Sequence, residues 1–187
     1  MRAFIAVELP TSVQAELVAL QRELRASGAD VKWVEERNLH LTMRFLGEIP
    51  EDERQAVEQL LNRLARHTPV IQASLSDVGA FPASSSPRVV WVGIGQGSDA
   101  LRRVATELEE GLALLRVRKA DREFVAHVTL GRVRSSRQRA PLVSRLRDLT
   151  WKPPPPFWAD HLTLFQSSLT GSGPVYTALA RFPFSPQ

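Results

Sequence analysis

Asn38-Leu39-His40-Leu41-Thr42-Met43-Arg44-Phe45-Leu46-Gly47 and Phe124-Val125-Ala126-His127-Val128-Thr129-Leu130-Gly131-Arg132 are the two stretches that decide how this chain is read. Each carries a His-x-Thr-x tetrapeptide in an alternating apolar run, the pattern of a half-buried β-strand. Residues two apart on a strand point to one face. Each tetrapeptide therefore presents His and Thr together and buries its two apolar residues behind them. The same elements precede both. A strand over residues 3–8 and a helix on Val13, Leu17, Leu20 and Leu24 lead to His40. A strand over 89–94 and a helix on Leu101, Val104, Ala105, Leu108 and Leu112 lead to His127. The second copy follows the first by nearly half the chain. This repeat predicts an α+β fold: bilobal, two pseudo-symmetric β-α-β-type lobes with mostly antiparallel sheets facing a central cleft.

Farther out, Thr11 and Gln14 are spaced as a capping box for the first helix, and Gly28 stops it. Residues 31–34 read as a short strand. Pro50 and three acidic residues open a helix on Val57, Leu60, Leu61 and Leu64, with the acids where the helix dipole favours them. Ile71, Ala73, Leu75 and Val78 predict a strand, and residues 80–87 (AFPASSSP) a turn-rich loop. Residues 124–133 form the second motif strand and 141–149 a short helix. Pro153 to Pro156 make a stiff surface connection. The last strands are expected over 157–165 and 175–182.

With 187 residues, 43% hydrophobic and 24% charged, the chain has the apolar content to fold and the length of one domain. No apolar run is long enough to span a membrane, and the start reads as a first strand rather than a signal peptide. A cytoplasmic location is expected. The absence of cysteine excludes disulfides, thiolate zinc sites, iron–sulfur ligation and cysteine nucleophiles. All but three of the 24 basic residues are arginine, and the formal charge is +4. Such a surface suits nucleic acid or phosphorylated small molecules, although a GC-rich genome inflates arginine as well.

The chemistry lies in the histidines. An imidazole gives or takes a proton near neutrality, and a threonine hydroxyl donates to a phosphate oxygen. Two such strands across a cleft place His40 and His127 on either side of one phosphorus. One deprotonates an attacking water while the other protonates the leaving oxygen, without a metal. A third tetrapeptide, His161-Leu162-Thr163-Leu164, lacks the preceding repeated unit and reads as a core strand with an accidental match. His67 sits at a helix end, where the dipole favours it. No His-x-His, His-x3-His or carboxylate cluster supports a metal site.

These residues resemble the 2H phosphoesterase superfamily, and more closely its bacterial and archaeal RNA 2′,3′-cyclic phosphodiesterases, historically called 2′-5′ RNA ligases. The likeness extends beyond the two motif stretches. Arg2-Ala3-Phe4-Ile5-Ala6-Val7 is similar to the family's first strand, and Gly79-Ala80-Phe81-Pro82 with Pro87 to Gly93 to its central loop and strand. Ser167-Ser168-Leu169 and Gly173-Pro174-Val175-Tyr176 follow its ending. The resemblance implies a single 2H phosphoesterase domain over residues 1–187, each lobe contributing one motif strand. It implies metal-independent, cofactor-free hydrolysis of a terminal 2′,3′-cyclic phosphate to a 2′-phosphomonoester, with weak, reversible, ATP-independent 2′-5′ joining.

Carried over by position, His127 is the proton acceptor acting on water and His40 the proton donor to O3′. Thr42 and Thr129 bind the phosphate, joined by Arg132. Simple alternation puts Arg132 on the face opposite His127, so its role needs a bend or strand end at Gly131. Ala126 stands where the family often has proline. Six arginines between 132 and 147 are placed to guide an RNA backbone, and Trp33, Phe45, Phe81 and Trp91 are the candidates for stacking a base. The expected partner is RNA with 2′,3′-cyclic phosphate ends, tRNA fragments among them. No membrane and no obligate protein partner are expected, and the chain should be a monomer. Two readings compete: a 2H enzyme acting on a small cyclic nucleotide or ADP-ribose cyclic phosphate, and a non-catalytic RNA-end-binding protein. A metal-dependent hydrolase ranks behind both.

Overall fold

The first motif strand, β3 (His40–Glu48), runs antiparallel to the second, β7 (His127–Val133), through the pairing of Leu41 with Val128. This contact joins the two halves of the chain in a computed structural model that describes residues 1–171 and 173–186. Both paired side chains are fully buried. Beyond β3 lie β1 (Arg2–Glu8), β9 (His161–Thr170) and β10 (Gly173–Pro183); beyond β7 lie β6 (Ser86–Ile94) and β5 (Leu75–Ala83). A short β2 (Val31–Trp33) also pairs with β7, completing one eight-stranded sheet. A separate pair, β4 (Ile71–Ala73) and β8 (Phe157–Ala159), sits apart. The architecture is α+β with antiparallel sheet, as the repeat predicts, and its halves share a single sheet.

One face of that sheet is apolar. Ile5, Val7, Leu41, Met43, Val90, Val92, Val128 and Leu130 are all buried there or nearly so. They join one core with α1 (Thr11–Arg25), through Leu17, Leu20 and Leu24, and with α3 (Ser98–Leu114), through Leu101, Leu108 and Leu112. Each such side chain contributes roughly 1.5–3 kcal/mol of transfer free energy. Two further helices, α2 (Glu51–His67) and α4 (Arg139–Asp148), complete the layer. Among the described residues, no helix is long and apolar enough to cross a membrane.

Each motif strand is interrupted at the same place. On β3, Ala6 of β1 faces Thr42 and Ile5 faces Arg44, so Met43 is an extra, bulged residue. On β7, Trp91 of β6 faces Thr129 and Val90 faces Gly131, so Leu130 is the extra residue. A bulge shifts the following residues to the opposite face. Both bulges are secured from the other half. Gln21 of α1, 2% exposed, donates through Nε2 to the Leu130 carbonyl at 2.9 Å and the Val34 carbonyl at 2.8 Å. Arg44, next to Met43, pairs with Glu109 of α3 at 2.6 Å. Gly131 lets β2 approach the second bulge: a Cβ there would fall 2.7 Å from Val31 Cγ1 and 2.9 Å from Trp33 Cε3.

Several sequence expectations are corrected. No side chain caps α1; Gln14 reaches instead to the Leu39 carbonyl at 3.2 Å. Residues 80–87 are mostly strand, because β5 and β6 close as a hairpin whose turn is only Ser84 and Ser85. The strand over 71–78 is split into β4 and β5 at Ser74, and the strand over 157–165 into β8 and β9 at Asp160. β7 begins at His127 rather than 124, and β10 spans Gly173–Pro183.

Replacing Gln21 by Leu removes the donor from both carbonyls that fix the second bulge. The Leu130 carbonyl keeps the Val34 N–H at 2.8 Å, so denaturant unfolding of Gln21→Leu should show a loss of about 1–3 kcal/mol, the usual cost of leaving one buried acceptor, the Val34 carbonyl, unpaired.

Candidate active site

The face of β3 and β7 opposite the core carries His40, Thr42, His127 and Thr129, all half-buried. The Leu41–Val128 pairing sets His40 and Thr42 on one side of the seam and His127 and Thr129 on the other. The sheet therefore brings both motifs together on one surface.

The two imidazoles are held alike. Nδ1 of His40 donates to the Asn38 carbonyl at 2.7 Å, and Nδ1 of His127 to the Val125 carbonyl at 2.7 Å. A carbonyl only accepts, so in each ring the proton sits on Nδ1 and Nε2 is left as the acceptor. His40 Nε2 also meets the Thr42 hydroxyl at 2.9 Å. Aromatic rings clamp both histidines. Phe4 and Tyr176 lie 4.9 and 5.4 Å from the His40 ring; Phe81 and Trp91 lie 5.2 and 6.5 Å from the His127 ring.

Burial lowers the pKa of both imidazoles from the ordinary 6.5, partly offset by the carbonyl each one faces. The charge of His127 lowers that of His40 further, and the Arg132 guanidinium lowers that of His127. The Leu130 bulge explains how Arg132 reaches the site: it restores this arginine to the histidine face, as the expected bend at Gly131 requires. Arg132 also acts electrostatically on Tyr176, which packs edge-on against the His40 ring.

Tyr176, Asn38 and Glu8 escaped the sequence reading. The tip of the β9–β10 hairpin reaches the start of β3, where Asn38 Nδ2 donates to the Pro174 carbonyl at 3.0 Å. Nothing in a local pattern announces that contact across the chain. The six arginines between 132 and 147 are exposed, except for the half-buried Arg139, and Arg147 pairs with Asp148. Trp33 packs beneath Gly131 and takes the Arg25 guanidinium over its ring at 5.8 Å.

The third motif has its own explanation. His161 is half-buried rather than part of the apolar core. Its Nε2 lies 2.7 Å from Glu8 and its Nδ1 2.5 Å from Asp160. Thr163, fully buried, donates to the same Glu8 oxygen at 2.7 Å, as does Arg181 Nε at 2.7 Å. This motif organises a carboxylate. Among the described residues, no three His, Asp or Glu side chains are arranged to hold a metal ion.

The model of the 2′-5′ RNA ligase superfamily matches residues 9–170. An RNA 2′,3′-cyclic phosphodiesterase of Methanocaldococcus jannaschii is 34% identical over 179 residues, covering 96% of this chain and 98% of that protein. The crystal structure of TT0787 from Thermus thermophilus superposes with a TM-score of 0.83 at 32% identity over the full length of both chains. Escherichia coli LigT complexed with 3′-AMP gives 0.77 at 27% identity, covering 98% of this chain and 97% of that one.

Arg181 foremost, with His161 and Thr163, outweighs burial and holds the Glu8 pKa at about 2 against an ordinary 4.5. The stabilisation from Glu8 is present in full above pH 4.5 and is lost as the pH falls towards 2. Urea unfolding of Glu8→Gln should accordingly be less stable than wild type at pH 6, with the difference shrinking between pH 4.5 and 2.

Proposed function

Because the chain belongs to the 2′-5′ RNA ligase superfamily, and a relative is named an RNA 2′,3′-cyclic phosphodiesterase, we propose that it opens the terminal 2′,3′-cyclic phosphate of RNA to a 2′-phosphomonoester. The observation that carries the reading is the matched pair of imidazoles, each with Nδ1–H on a main-chain carbonyl and Nε2 left as the acceptor. In neutral form Nε2 is a base; in charged form it is an acid.

In this reading His127 Nε2 takes a proton from water as the water oxygen bonds to phosphorus. The P–O3′ bond breaks, and His40 Nε2 gives its proton to O3′. The histidines end with exchanged protonation and reset through solvent. Thr42, Thr129 and Arg132 hold the phosphoryl oxygens while charge builds on them. The acid and the base both come from side chains, so the step needs neither metal nor cofactor. A 5′-hydroxyl replacing the water gives 2′-5′ joining without ATP, a weak activity in competition with bulk water.

One chain supplies both motifs, which supports a single two-lobed domain working as a monomer. The substrate is cyclic-ended RNA, tRNA fragments included, in the cytoplasm.

The test is a short RNA with a 2′,3′-cyclic phosphate, incubated in chelator with products resolved by isomer. The 2′-phosphate alone is expected. A 3′-phosphate would reverse the substrate in the cleft, and binding without turnover would leave an RNA-end-binding protein. His40→Ala and His127→Ala should each lower turnover by about 10²–10⁴, whereas His161→Ala should leave it near wild type.

The pH profile follows from the lowered pKa values. One histidine must be charged and its partner neutral, and both lose their protons below 6.5 in the free protein. Initial-rate kinetics should give a bell-shaped kcat/KM with its maximum on the acid side of pH 6.5.

A further inference from the structure

Each helix that precedes a motif strand sends one polar side chain across to the other half. Gln21 of α1 and Glu109 of α3 stand at nearly the same distance before their own histidines. Each makes two kinds of contact. Gln21 holds the Leu130 carbonyl of the opposite bulge and the Val34 carbonyl on the way to its own histidine. Glu109 takes Arg44, beside the opposite bulge, at 2.6 Å, and the Ala120 N–H, on the way to its own histidine, at 2.9 Å. The two arrangements correspond, but they are not equally needed.

The approach to His40 has main-chain support. There β2 pairs with β7, and the Val34 N–H bonds the Leu130 carbonyl at 2.8 Å. The approach to His127 has no strand. From Arg118 to Val125 no main-chain group bonds another among the described residues; the Ala126 carbonyl is the next to do so, with the Ile94 N–H at 3.1 Å. Yet Val125 supplies the carbonyl that holds His127 Nδ1. Side chains therefore have to fix this path.

Arg44 and Glu109 do so together. The Arg44 guanidinium donates to the Arg118 carbonyl and to the Phe45 carbonyl of its own strand, while its Nε holds Glu109. Glu109 in turn accepts from the Ala120 N–H. The pair is shielded, with the side chains 11% and 26% exposed. Burial works against the Glu109 charge, but Arg44 and the Ala120 N–H keep its pKa below the usual 4.5. Arg44 faces Ile5, a core residue, so its guanidinium lies on the side of β3 away from the histidines.

We infer that Arg44 and Glu109 are positioning residues for His127: they fasten residues 118–120 to the first motif strand and so set the second imidazole against the first. The kinetic consequence rests on the proposed reaction; the geometry does not.

The test uses the whole chain with ¹⁵N-labelled histidine. At about pH 8, where imidazole is neutral, the ring nitrogen shifts of wild type should show the His127 proton on Nδ1. In Arg44→Leu/Glu109→Leu, which leaves neither charge buried alone, His127 should become a mixture of Nδ1–H and Nε2–H forms while His40 keeps Nδ1–H. Should the double variant not fold, Arg44→Lys is read in the same way, since it keeps a cation for Glu109 and gives up the Arg118 carbonyl. On RNA with a 2′,3′-cyclic phosphate end, kcat should fall about 10²-fold, the cost of roughly 1 Å of misplacement, with KM little changed. A folded variant whose His127 keeps the wild-type tautomer, or whose two histidines lose theirs alike, overturns the inference. So does an unchanged kcat. Absence of wild-type turnover counts against the reaction alone, because the tautomer is read without substrate.

Discussion

The pairing of Leu41 with Val128 is the contact on which the rest of the molecule depends. It is small: two strands touch at mid-motif, and both apolar side chains go fully into the core. The side chains on either side then have no freedom in direction, because alternation sends them all to the other face. A slip of one residue would bury the histidines and expose the core. The hydrophobic register of two short strands thereby sets the geometry of the paired-histidine surface.

Around that contact, the site is built by restraint more than by charge. The imidazoles are pinned at Nδ1, clamped by aromatic rings and partly desolvated, with a lowered proton affinity. In the proposed reaction, that low proton affinity would suit His40 to donate once the phosphate had drawn a proton onto it, and His127 to accept one. The bulges at Met43 and Leu130 extend the site at both ends by returning Phe45 and Arg132 to the same face.

Much of this was legible in the residues. Alternation and the repeated order of elements located both motif strands and the helices before them, because each signal is local and strong. The need for a bend or strand end at Gly131 was also visible, since simple alternation turns Arg132 away from His127. Contacts between distant segments were not. Gln14 and Thr11 have capping-box spacing, yet Gln14 serves the Leu39 carbonyl, a tertiary acceptor that no spacing rule contains. The AFPASSSP stretch has turn composition but lies in a hairpin, where pairing with β6 overrides propensity. His161 passed for an accidental match because its partners, Glu8 and Arg181, come from opposite ends of the chain.

The exchange of supports between the halves has a consequence for synthesis. The first motif emerges from the ribosome early, but Arg44 beside its bulge waits for Glu109, and Asn38 waits for Pro174. Gln21, made earlier still, has no Leu130 carbonyl to hold until the second motif appears. The amino-terminal half cannot complete its own active-site strand while the chain is growing, and the carboxy-terminal half cannot do so without it. The supports of both motif strands are therefore complete only once the β9–β10 hairpin has been made and docked, so a nascent chain cut short before it lacks the Pro174 partner of Asn38.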